Sequence, residues 1–228
     1  PAAPYEVAFL LDHYFEKKGM KDKVKIRFFT PEGLPLPAAG PEHGNKALAF
    51  LTSRGIDAEF KIKLKEVTPK EAIFDDGKSI PFDILFAVPP HRCPTPVEET
   101  GLTDQTGWVP VDPNTLMTKH DNVYAVGDIN SVPTPSGFTP YLPKAGVFAH
   151  GQAEVVAHNI AVKISGKGKI KSWGGDGSCF LMVVQGKSSF FKGNWFTKPR
   201  PTIKFHSPSR IWYMQRYLFE KYWMRHWF

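Results

Sequence analysis

The sequence is poor in cysteine and contains no long apolar run. Its two cysteines, Cys93 and Cys179, are too few for a disulfide-stapled fold. Neither lies in a C-x-x-C pair, so no metal site is expected. No apolar run reaches the roughly 18 residues that a membrane-spanning helix needs, and no basic start precedes an apolar segment as in a signal peptide. We therefore expect a protein that is soluble or lies on a membrane surface.

The composition is that of a globular protein. The 228 residues are 42% hydrophobic, with 29 Lys and Arg against 22 Asp and Glu, which gives a net charge of +7. These values exclude disorder, collagen and coiled coil, and the length allows one large domain or two modest ones. An excess of basic over acidic residues can indicate nucleic-acid binding. No nucleic-acid-binding module is recognisable, however, so nucleic acid is not an expected partner. The chain lacks an initial Met, and we expect it to begin inside a domain.

The periodicity of the first 90 residues predicts an α/β fold. The predicted elements are a helix at 5–18, a strand at 23–30, a helix at 44–54, a strand at 56–67, a polar hairpin around the turn at 75–77, and a buried parallel strand at 82–88. This order is typical of a Rossmann-like nucleotide-binding domain that lacks its first strand.

A second region begins after the proline-dense stretch at 89–96, which is the predicted domain boundary. Two short strands are predicted at 108–112 and 122–126, and a long helix at 143–164. After residue 165 the sequence changes to aromatic strands with glycines. The chain closes on an aromatic, basic segment at 211–228.

The strongest motif covers residues 118–128 and ends in Gly127-Asp128. A strand with this ending places a closely approachable backbone and one carboxylate at the carboxyl edge of a sheet, where doubly wound folds bind ligands. The segment resembles the second flavin-binding motif of the two-dinucleotide-domain flavoprotein disulfide reductases. That resemblance implies that Gly127 and Asp128 bind FAD, with Asp128 on its ribityl chain. The residues alone also allow a helix-capping Asp after an ordinary strand.

The stretch at 143–153 resembles the membrane-associated quinone reductases, above all the sulfide:quinone oxidoreductases, and also their type II NADH dehydrogenase relatives. The resemblance implies that Lys144 and Gly146 open a helix beside the isoalloxazine ring of FAD. A helix N-terminus and an ammonium both favour negative charge on a reduced flavin. The alternative for Lys144 is a solvated lysine in a first helical turn.

The residues before the first helix distinguish sulfide from NADH as the electron donor. An NADH-binding turn needs G-x-G-x-x-G, whereas this chain has prolines and side chains at residues 1–6. The degenerate turn resembles that of sulfide:quinone oxidoreductases, whose first catalytic cysteine would fall immediately before Pro1. A type II NADH:quinone dehydrogenase-like enzyme is the alternative.

The family resemblance also implies roles near the end of the chain. Cys179 matches the second catalytic cysteine, and Phe180 matches an aromatic residue that borders the quinone pocket. Two such cysteines would form a disulfide or polysulfide bridge that sulfide attacks. Glu6 corresponds to a carboxylate near the sulfur site and is a candidate proton acceptor. Alternatively, Cys179 is a small buried hydrophobic residue and Glu6 an ordinary first-turn glutamate. Cys93 matches no family cysteine, and we interpret it as structural or incidental.

Together these features predict an α/β, incomplete two-dinucleotide-binding-domain flavoprotein with a small C-terminal α+β region. Residues 1–90 would form a degenerate NAD(P)-binding-like Rossmann domain, residues 91–165 the second part of an FAD-binding domain, and residues 166–228 a quinone and membrane-interface region. Sulfide and quinone are the expected partners. Because the family's N-terminal FAD half is absent from the sequence, this piece is expected to be inactive alone, and it could act as a structural or interaction part.

The location and assembly state are expectations of the same kind. Aromatic and basic residues alternate along 211–228, which suits a peripheral membrane anchor. The same pattern could pack on the protein itself or on a second subunit, so a homo-oligomer is an alternative. We expect a prokaryotic protein at the membrane periphery or in the cytoplasm.

Overall fold

A computed structural model describes residues 2–137 and 139–228. The chain divides into two compact units. The first contains the chain through Val88 together with Phe180–Phe190 and Phe205–Phe228. The second contains Pro89–Cys179 and Phe191–Lys204.

The helices and strands alternate in the first part of the chain and segregate in the last. The α-helices are α1 (Ala3–Lys17), α2 (Pro41–Ser53), α3 (Thr95–Glu98), α4 (Gly146–Ser165) and α5 (Arg210–Trp227). The strands are β1 (Arg27–Thr30), β2 (Asp57–Phe60), β3 (Leu64–Val67), β4 (Glu71–Phe74), β5 (Ser79–Pro81), β6 (Val109–Pro110), β7 (Asn130–Ser131), β8 (Asp176–Val184), β9 (Lys187–Asn194) and β10 (Thr202–Ser209). This mixture confirms the predicted α/β class.

In the first unit, β1 and β2 pair in parallel, with Arg27 opposite Asp57 and Thr30 opposite Phe60. Helix α1 presents its apolar face to the core because its buried residues recur at helical spacing. The core of this unit contains Tyr5, Ala8, Phe9, Phe28, Leu51, Ile56, Leu181 and Val183. Strands β3, β4 and β5 form a separate antiparallel sheet.

A buried ion pair joins α1 to the end of α2. The Asp12 carboxylate is almost fully buried, and it accepts a hydrogen bond from Arg54 Nε at 2.5 Å. Lys21 Nζ lies 2.9 Å from the same carboxylate. Because a buried carboxylate is stable only when it is paired, these two cations allow α1 to turn a charged residue inward.

The second unit is built around a cluster of aromatic rings that packs against Phe148 of α4. The ring of Phe148 meets Trp173 and Trp195 edge to face, with centroid distances of 5.9 and 4.9 Å. The short strands β6 and β7 pair in parallel. The buried apolar residues around them are Val109, Val111, Leu116, Ala125, Val132, Phe148, Val156, Trp173 and Trp195.

Most predicted elements are present, with shifted boundaries. The helices predicted at 5–18, 44–54 and 143–164 correspond to α1, α2 and α4, and a strand occupies the end of the segment predicted at 23–30. The single strand predicted at 56–67 is instead divided between β2 and β3. The strand predicted at 122–126 is reduced to an isolated bridge between Tyr124 and Met117, because the turn at 127–129 follows at once.

The buried parallel strand predicted at 82–88 is wrong. Residues 82–90 carry neither helix nor strand, and Ile84, Phe86 and Val88 are 73%, 62% and 47% exposed. A continuously apolar strand is buried only when neighbours pair with its edges and cover both its faces. Among the described residues, nothing does so for this segment.

None of the helices in the described ranges is both long and apolar enough to cross a bilayer. Over the same ranges, no group of three or more His, Cys, Asp or Glu residues is arranged to hold a metal ion.

The packing of α2 leads to a stability prediction. Leu51 is completely buried, so Leu51→Ala should lower the free energy of unfolding by about 2–5 kcal/mol through lost burial and a residual cavity. Leu218→Ala, at a position that is 57% exposed, is the matched control and should change it by less than about 0.5 kcal/mol. Urea unfolding followed by circular dichroism measures both. Equal effects of the two substitutions would contradict this account of the core.

Candidate functional site

The site is built around the turn that follows Ala125 and Val126. Gly127–Ile129 form one turn of 3-10 helix, and Gly127 has a φ of +76°. A Cβ on Gly127 would also lie 3.2 Å from the Cβ of Ala149 on α4. Glycine is therefore required here twice, once by the backbone conformation and once by the closeness of α4.

A buried glutamine on α4 fixes this turn. Gln152 is only 1% exposed, and its Oε1 accepts hydrogen bonds from Gly127 N–H at 2.8 Å and from Asn130 Nδ2 at 2.9 Å. Asn130 Nδ2 also donates to the carbonyl oxygen of Ala125 at 3.0 Å. One side-chain oxygen thus holds both ends of the turn.

Lys144 holds the same turn from the residues just before α4. Its Nζ donates to the carbonyl oxygens of Asp128 at 2.5 Å and of Asn130 at 2.9 Å. The ammonium also lies 3.6 Å from the centroid of the Trp108 ring, which is a close cation–π contact. Burial lowers the pKa of Lys144, while the charge of Asp128 favours the ammonium form. The cation is therefore partly dehydrated and directed at backbone oxygens.

The Asp128 side chain is left facing solvent. It is exposed, and within residues 2–137 and 139–228 no hydrogen bond or ion pair holds its carboxylate. The concave surface beside it is lined by Gly127, Asp128, Asn130, Leu142, Pro143, Lys144, Ala145, Phe148, Ala149 and Gln152.

The N-terminus of α4 opens onto the same surface. The first backbone hydrogen bonds of α4 are donated by Phe148 and Ala149 to the carbonyl oxygen of Ala145, so the amides of Gly146 and Val147 precede them. Such amides favour electron-rich groups. A carboxylate that can accept from hydroxyl groups, a glycine at the point of closest approach and a helix N-terminus together fit a flavin with its polyhydroxylated chain.

Cys179 is half-buried on β8, in the same unit as this turn. Gly177 brings β8 against α4, because a Cβ at this glycine would overlap the ring of Phe148. Cys179 is two residues further along the strand, so its side chain points to the same face as that contact, about 7 Å away. Phe148 in turn adjoins Ala149, which contacts Gly127. The strand with the cysteine and the turn with the carboxylate therefore pack on the same turn of α4.

The other residues singled out from the sequence lie as follows. Glu6 is half-buried in the first turn of α1, and its Oε1 accepts a hydrogen bond from Met182 N–H at 2.5 Å, which ties the carboxylate to β8. Phe180 points to the face of β8 opposite to that of Cys179. Its ring centroid lies 5.0 Å from that of Phe190 and 6.3 Å from that of Phe219.

Cys93, for which the sequence suggested no catalytic role, lies close enough to Lys144 for the two side chains to interact electrostatically. It is 5% exposed, and burial raises the pKa of its thiol. The Glu98 carboxylate acts in the same direction, while the Lys144 ammonium opposes it. Cys93 is therefore a neutral, buried thiol on the Lys144 side of the turn.

Sequence reasoning missed three residues that shape the site: Trp108, Asn130 and Gln152. Trp108 was recognised only as part of a short strand. Gln152 lies on the inward face of α4 between the apolar residues Phe148 and Val156, and a polar residue at such a position signals a buried hydrogen-bond partner. That signal was available, but it could not identify the partner.

Comparison with known proteins places the chain in a family. Residues 14–154 match the sequence pattern of the pyridine nucleotide-disulphide oxidoreductase family. The chain is 26% identical to the mitochondrial sulfide:quinone oxidoreductase of Mus musculus, over 92% of this chain and 46% of that protein. It is 29% identical to the same enzyme of Schizosaccharomyces pombe, over 81% and 40% of the two lengths.

The fold is similar to that of a solved relative. The sulfide:quinone oxidoreductase of Aquifex aeolicus superposes with a TM-score of 0.82 at 22% identity, covering 96% of this chain and 54% of that one. The fold is Rossmann-like and similar to that of flavoprotein reductases. The chain belongs to the pyridine nucleotide-disulphide oxidoreductase family, as the resemblance at 118–128 predicted. It spans about half the length of the sulfide:quinone oxidoreductases that it matches.

The glutamine clamp gives a prediction that does not depend on activity. Gln152→Leu nearly conserves volume but leaves Gly127 N–H and the Asn130 amide without their acceptor, so the free energy of unfolding should fall by about 1–3 kcal/mol. Gln105→Leu, at an exposed glutamine in the same unit, is the matched control. Denaturant titration of both variants provides the measurement. If the two variants unfold at the same denaturant concentration, Gln152 does not hold the turn.

Proposed function

We propose that this chain is part of an FAD-dependent sulfide:quinone oxidoreductase and contributes residues to its flavin site and to its sulfur site. Membership of the oxidoreductase family is established by the match at residues 14–154. The observation that carries the narrower proposal is the packing of the Cys179 strand and the Gly127–Asp128 turn on the same turn of α4. A thiol on this strand is therefore held near the surface that suits a flavin.

The residues that would hold FAD are those that shape the turn. Asp128 would accept hydrogen bonds from hydroxyl groups of the ribityl chain, and Gly127 would let the backbone approach it. The amides at Gly146 and Val147 would face the electron-rich edge of the ring system. Lys144 would act mainly by fixing the carbonyl oxygens of Asp128 and Asn130, since its ammonium already donates to both. When bound, FAD would supply a two-electron acceptor.

The sulfur chemistry needs Cys179 and a second cysteine. Hydrosulfide would attack a sulfur–sulfur bridge between them, which forms a new S–S bond on one cysteine and releases the other as a thiolate. The attack requires a deprotonated sulfide, and Glu6 is our candidate for the proton acceptor. Its hydrogen bond from Met182 N–H would fix the carboxylate while leaving its second oxygen for the proton.

Quinone would be bound on the other face of β8. Phe180 lies there among Phe190 and Phe219, and a cluster of aromatic rings suits a flat apolar ring. Helix α5 supports delivery from a membrane surface, because it exposes apolar residues beside cations. The exposed apolar residues of α5 and the C-terminus are Ile211, Met214, Tyr217, Leu218, Phe219, Tyr222, Met224, Trp227 and Phe228.

A contact inside the first unit disfavours NADH as the donor. Tyr5, in the first turn of α1, is 1% exposed and donates a hydrogen bond to Glu32 Oε2 at 2.7 Å. Burial and the Glu32 carboxylate raise the pKa of Tyr5, so the phenol stays protonated. In NAD-binding folds an acidic residue after the second strand takes the ribose hydroxyl groups. Here the acidic residue that follows β1 is Glu32, and its carboxylate already accepts a hydrogen bond from the phenol of Tyr5.

We therefore predict that NADH does not bind at micromolar concentrations. Besides the Tyr5 contact, the turn before α1 lacks the glycines that pyrophosphate needs. Isothermal titration calorimetry with NADH should show no saturation below the millimolar range, and an unrelated NADH-binding dehydrogenase serves as the positive control. Micromolar affinity would favour a type II NADH:quinone dehydrogenase instead.

The function itself is tested at Cys179 in the FAD-loaded protein. Cys179→Ser nearly preserves volume but removes the thiolate, so flavin content should be kept while the rate of flavin bleaching by sulfide falls by more than about 100-fold, as expected when a nucleophile is lost. Anaerobic stopped-flow absorbance, normalised to bound FAD, measures this rate.

Cys93→Ser is the matched control and should bleach at close to the unmodified rate. If Cys179→Ser also bleaches within a few-fold of that rate, Cys179 does not carry the sulfur and the sulfide assignment fails. The alternative in which this chain is only a structural or interaction part predicts no sulfide-dependent bleaching in any variant.

A further inference from the structure

The loop that follows α4 is basic and contains no acidic residue. Its lysines, together with the one in the last turn of α4, are Lys163, Lys167, Lys169 and Lys171. Neither Asp nor Glu occurs between Glu154 and Asp176. All four lysines are exposed, and within residues 2–137 and 139–228 none of their ammonium groups forms an ion pair. Such a surface attracts an anionic partner.

The end of α4 accounts for only part of this charge. The helix ends at Ser165, and a cation in or just after the last turn is favoured by the helix dipole, which suits Lys163 and Lys167. The chain then folds back along α4, so Lys169 and Lys171 are held about two turns before the helix end. The dipole effect is confined to the last turn and does not explain these two lysines.

Two side chains of α4 hold the segment 169–171 in place. His158 Nε2 donates to the carbonyl oxygen of Lys169 at 2.9 Å. Asn159, which is 2% exposed, donates from Nδ2 to the carbonyl oxygen of Lys171 at 2.9 Å and accepts from the N–H of the same residue at 2.8 Å. Carbonyl groups two residues apart that point the same way are typical of an extended chain. The side chains of Lys169 and Lys171 therefore lie on one face, about 7 Å apart.

The outer edge of the same segment is free. In an extended chain the N–H and C=O groups of consecutive residues point in opposite directions, so those of Ile170 point away from α4. Within the described ranges no hydrogen bond uses either group, and Ile170 is 50% exposed. An unpaired backbone edge is a template for a further strand.

We propose that residues 169–171 bind an extended acidic segment of a partner protein, in which acidic and apolar residues alternate. The main chain of that segment pairs with the N–H and C=O groups of Ile170. Its carboxylates, also about 7 Å apart, lie opposite Lys169 and Lys171, and the apolar residue between them lies opposite Ile170 on the other face. Lys163 and Lys167 add attraction at longer range.

This surface is separate from the candidate flavin site. His158 lies about 18 Å along the helix axis from Gly146, where α4 begins. The proposal therefore does not rest on the proposed sulfide chemistry, and a failure of either leaves the other standing.

A membrane surface and a nucleic acid fit this loop less well. Membrane-interface segments are enriched in Trp and Tyr, and single-stranded nucleic acid stacks on aromatic side chains. No Phe, Tyr or Trp occurs between Phe148 and Trp173, and Trp173 is itself buried. Lysines at a fixed spacing beside a free backbone edge instead match a peptide strand.

Peptide binding tests the proposal. The probe is a fluorescein-labelled peptide of sequence Glu-Val-Glu-Val-Glu with blocked ends, and its binding to the full chain is followed by fluorescence anisotropy at low salt. The peptide Gln-Val-Gln-Val-Gln removes the charge, and Glu-Glu-Glu-Val-Val keeps the composition but loses the alternation. The alternating acidic peptide should bind at least about fivefold more tightly than either control peptide. It should also slow hydrogen exchange at the Ile170 amide, because that N–H becomes paired.

Lys169→Gln/Lys171→Gln is the test variant. Lys63→Gln/Lys65→Gln is the matched control, because it removes two exposed lysines at the same spacing from β3, where Asp75 accepts a hydrogen bond from Lys63 N–H at 3.0 Å. The test variant should bind the alternating peptide at least about tenfold more weakly, and the control should stay within about twofold of the unmodified chain. Circular dichroism of each variant confirms that it is folded.

Several results would overturn the proposal. One is the absence of saturable binding of the alternating peptide to the unmodified chain. Another is equal binding of the two glutamate peptides, since charge alone would then be recognised, and equal weakening by the two variants has the same meaning. The last is cosedimentation with phosphatidylserine vesicles that Lys169→Gln/Lys171→Gln abolishes, without any binding of the peptide; this result would assign the lysines to a membrane surface.

Discussion

The geometry of the turn at 127–129 depends on one oxygen atom, Oε1 of Gln152. It accepts hydrogen bonds from the backbone of Gly127 and from the side chain of Asn130 in a place that water does not reach. Unpaired, each of these buried donors would cost about 1–3 kcal/mol. Lys144 has the complementary role on the same turn. Gln152 accepts hydrogen bonds, whereas Lys144 donates them to the carbonyl oxygens of the turn. Residues of the α4 region therefore hold both a donor and an acceptor of the turn, while the Asp128 carboxylate faces solvent.

The two ends of the site are supported by different physical means. The turn is positioned by hydrogen bonds, whereas the strand with Cys179 is positioned by close packing of Gly177 on the ring of Phe148. Hydrogen bonds constrain direction closely, so the backbone that carries Asp128 is held in a defined orientation. The packing of Gly177 on Phe148 instead sets how closely β8 approaches α4.

The sequence alone was sufficient to predict the features that depend on local residue patterns. Helix α1, helix α4 and the Gly127–Asp128 turn follow from periodicity and from a motif with a clear physical meaning. It was insufficient where the outcome depends on partners distant in the chain. Gln152 could be recognised as buried, but its partners lie 22 and 25 residues away. The segment 84–88 has the composition of a buried strand, yet composition cannot supply the neighbours that bury it.

The position of Gly127 also limits how this site can change by mutation. Its positive φ and its closeness to Ala149 are independent obstacles to any side chain. Replacing Ala149 by glycine would remove the steric contact but leave the backbone conformation, which costs a residue with a Cβ about 1–2 kcal/mol. A change at Ala149 alone therefore removes only one of the two obstacles to a side chain at residue 127. A variant at this position needs compensation both for the contact with α4 and for the backbone conformation.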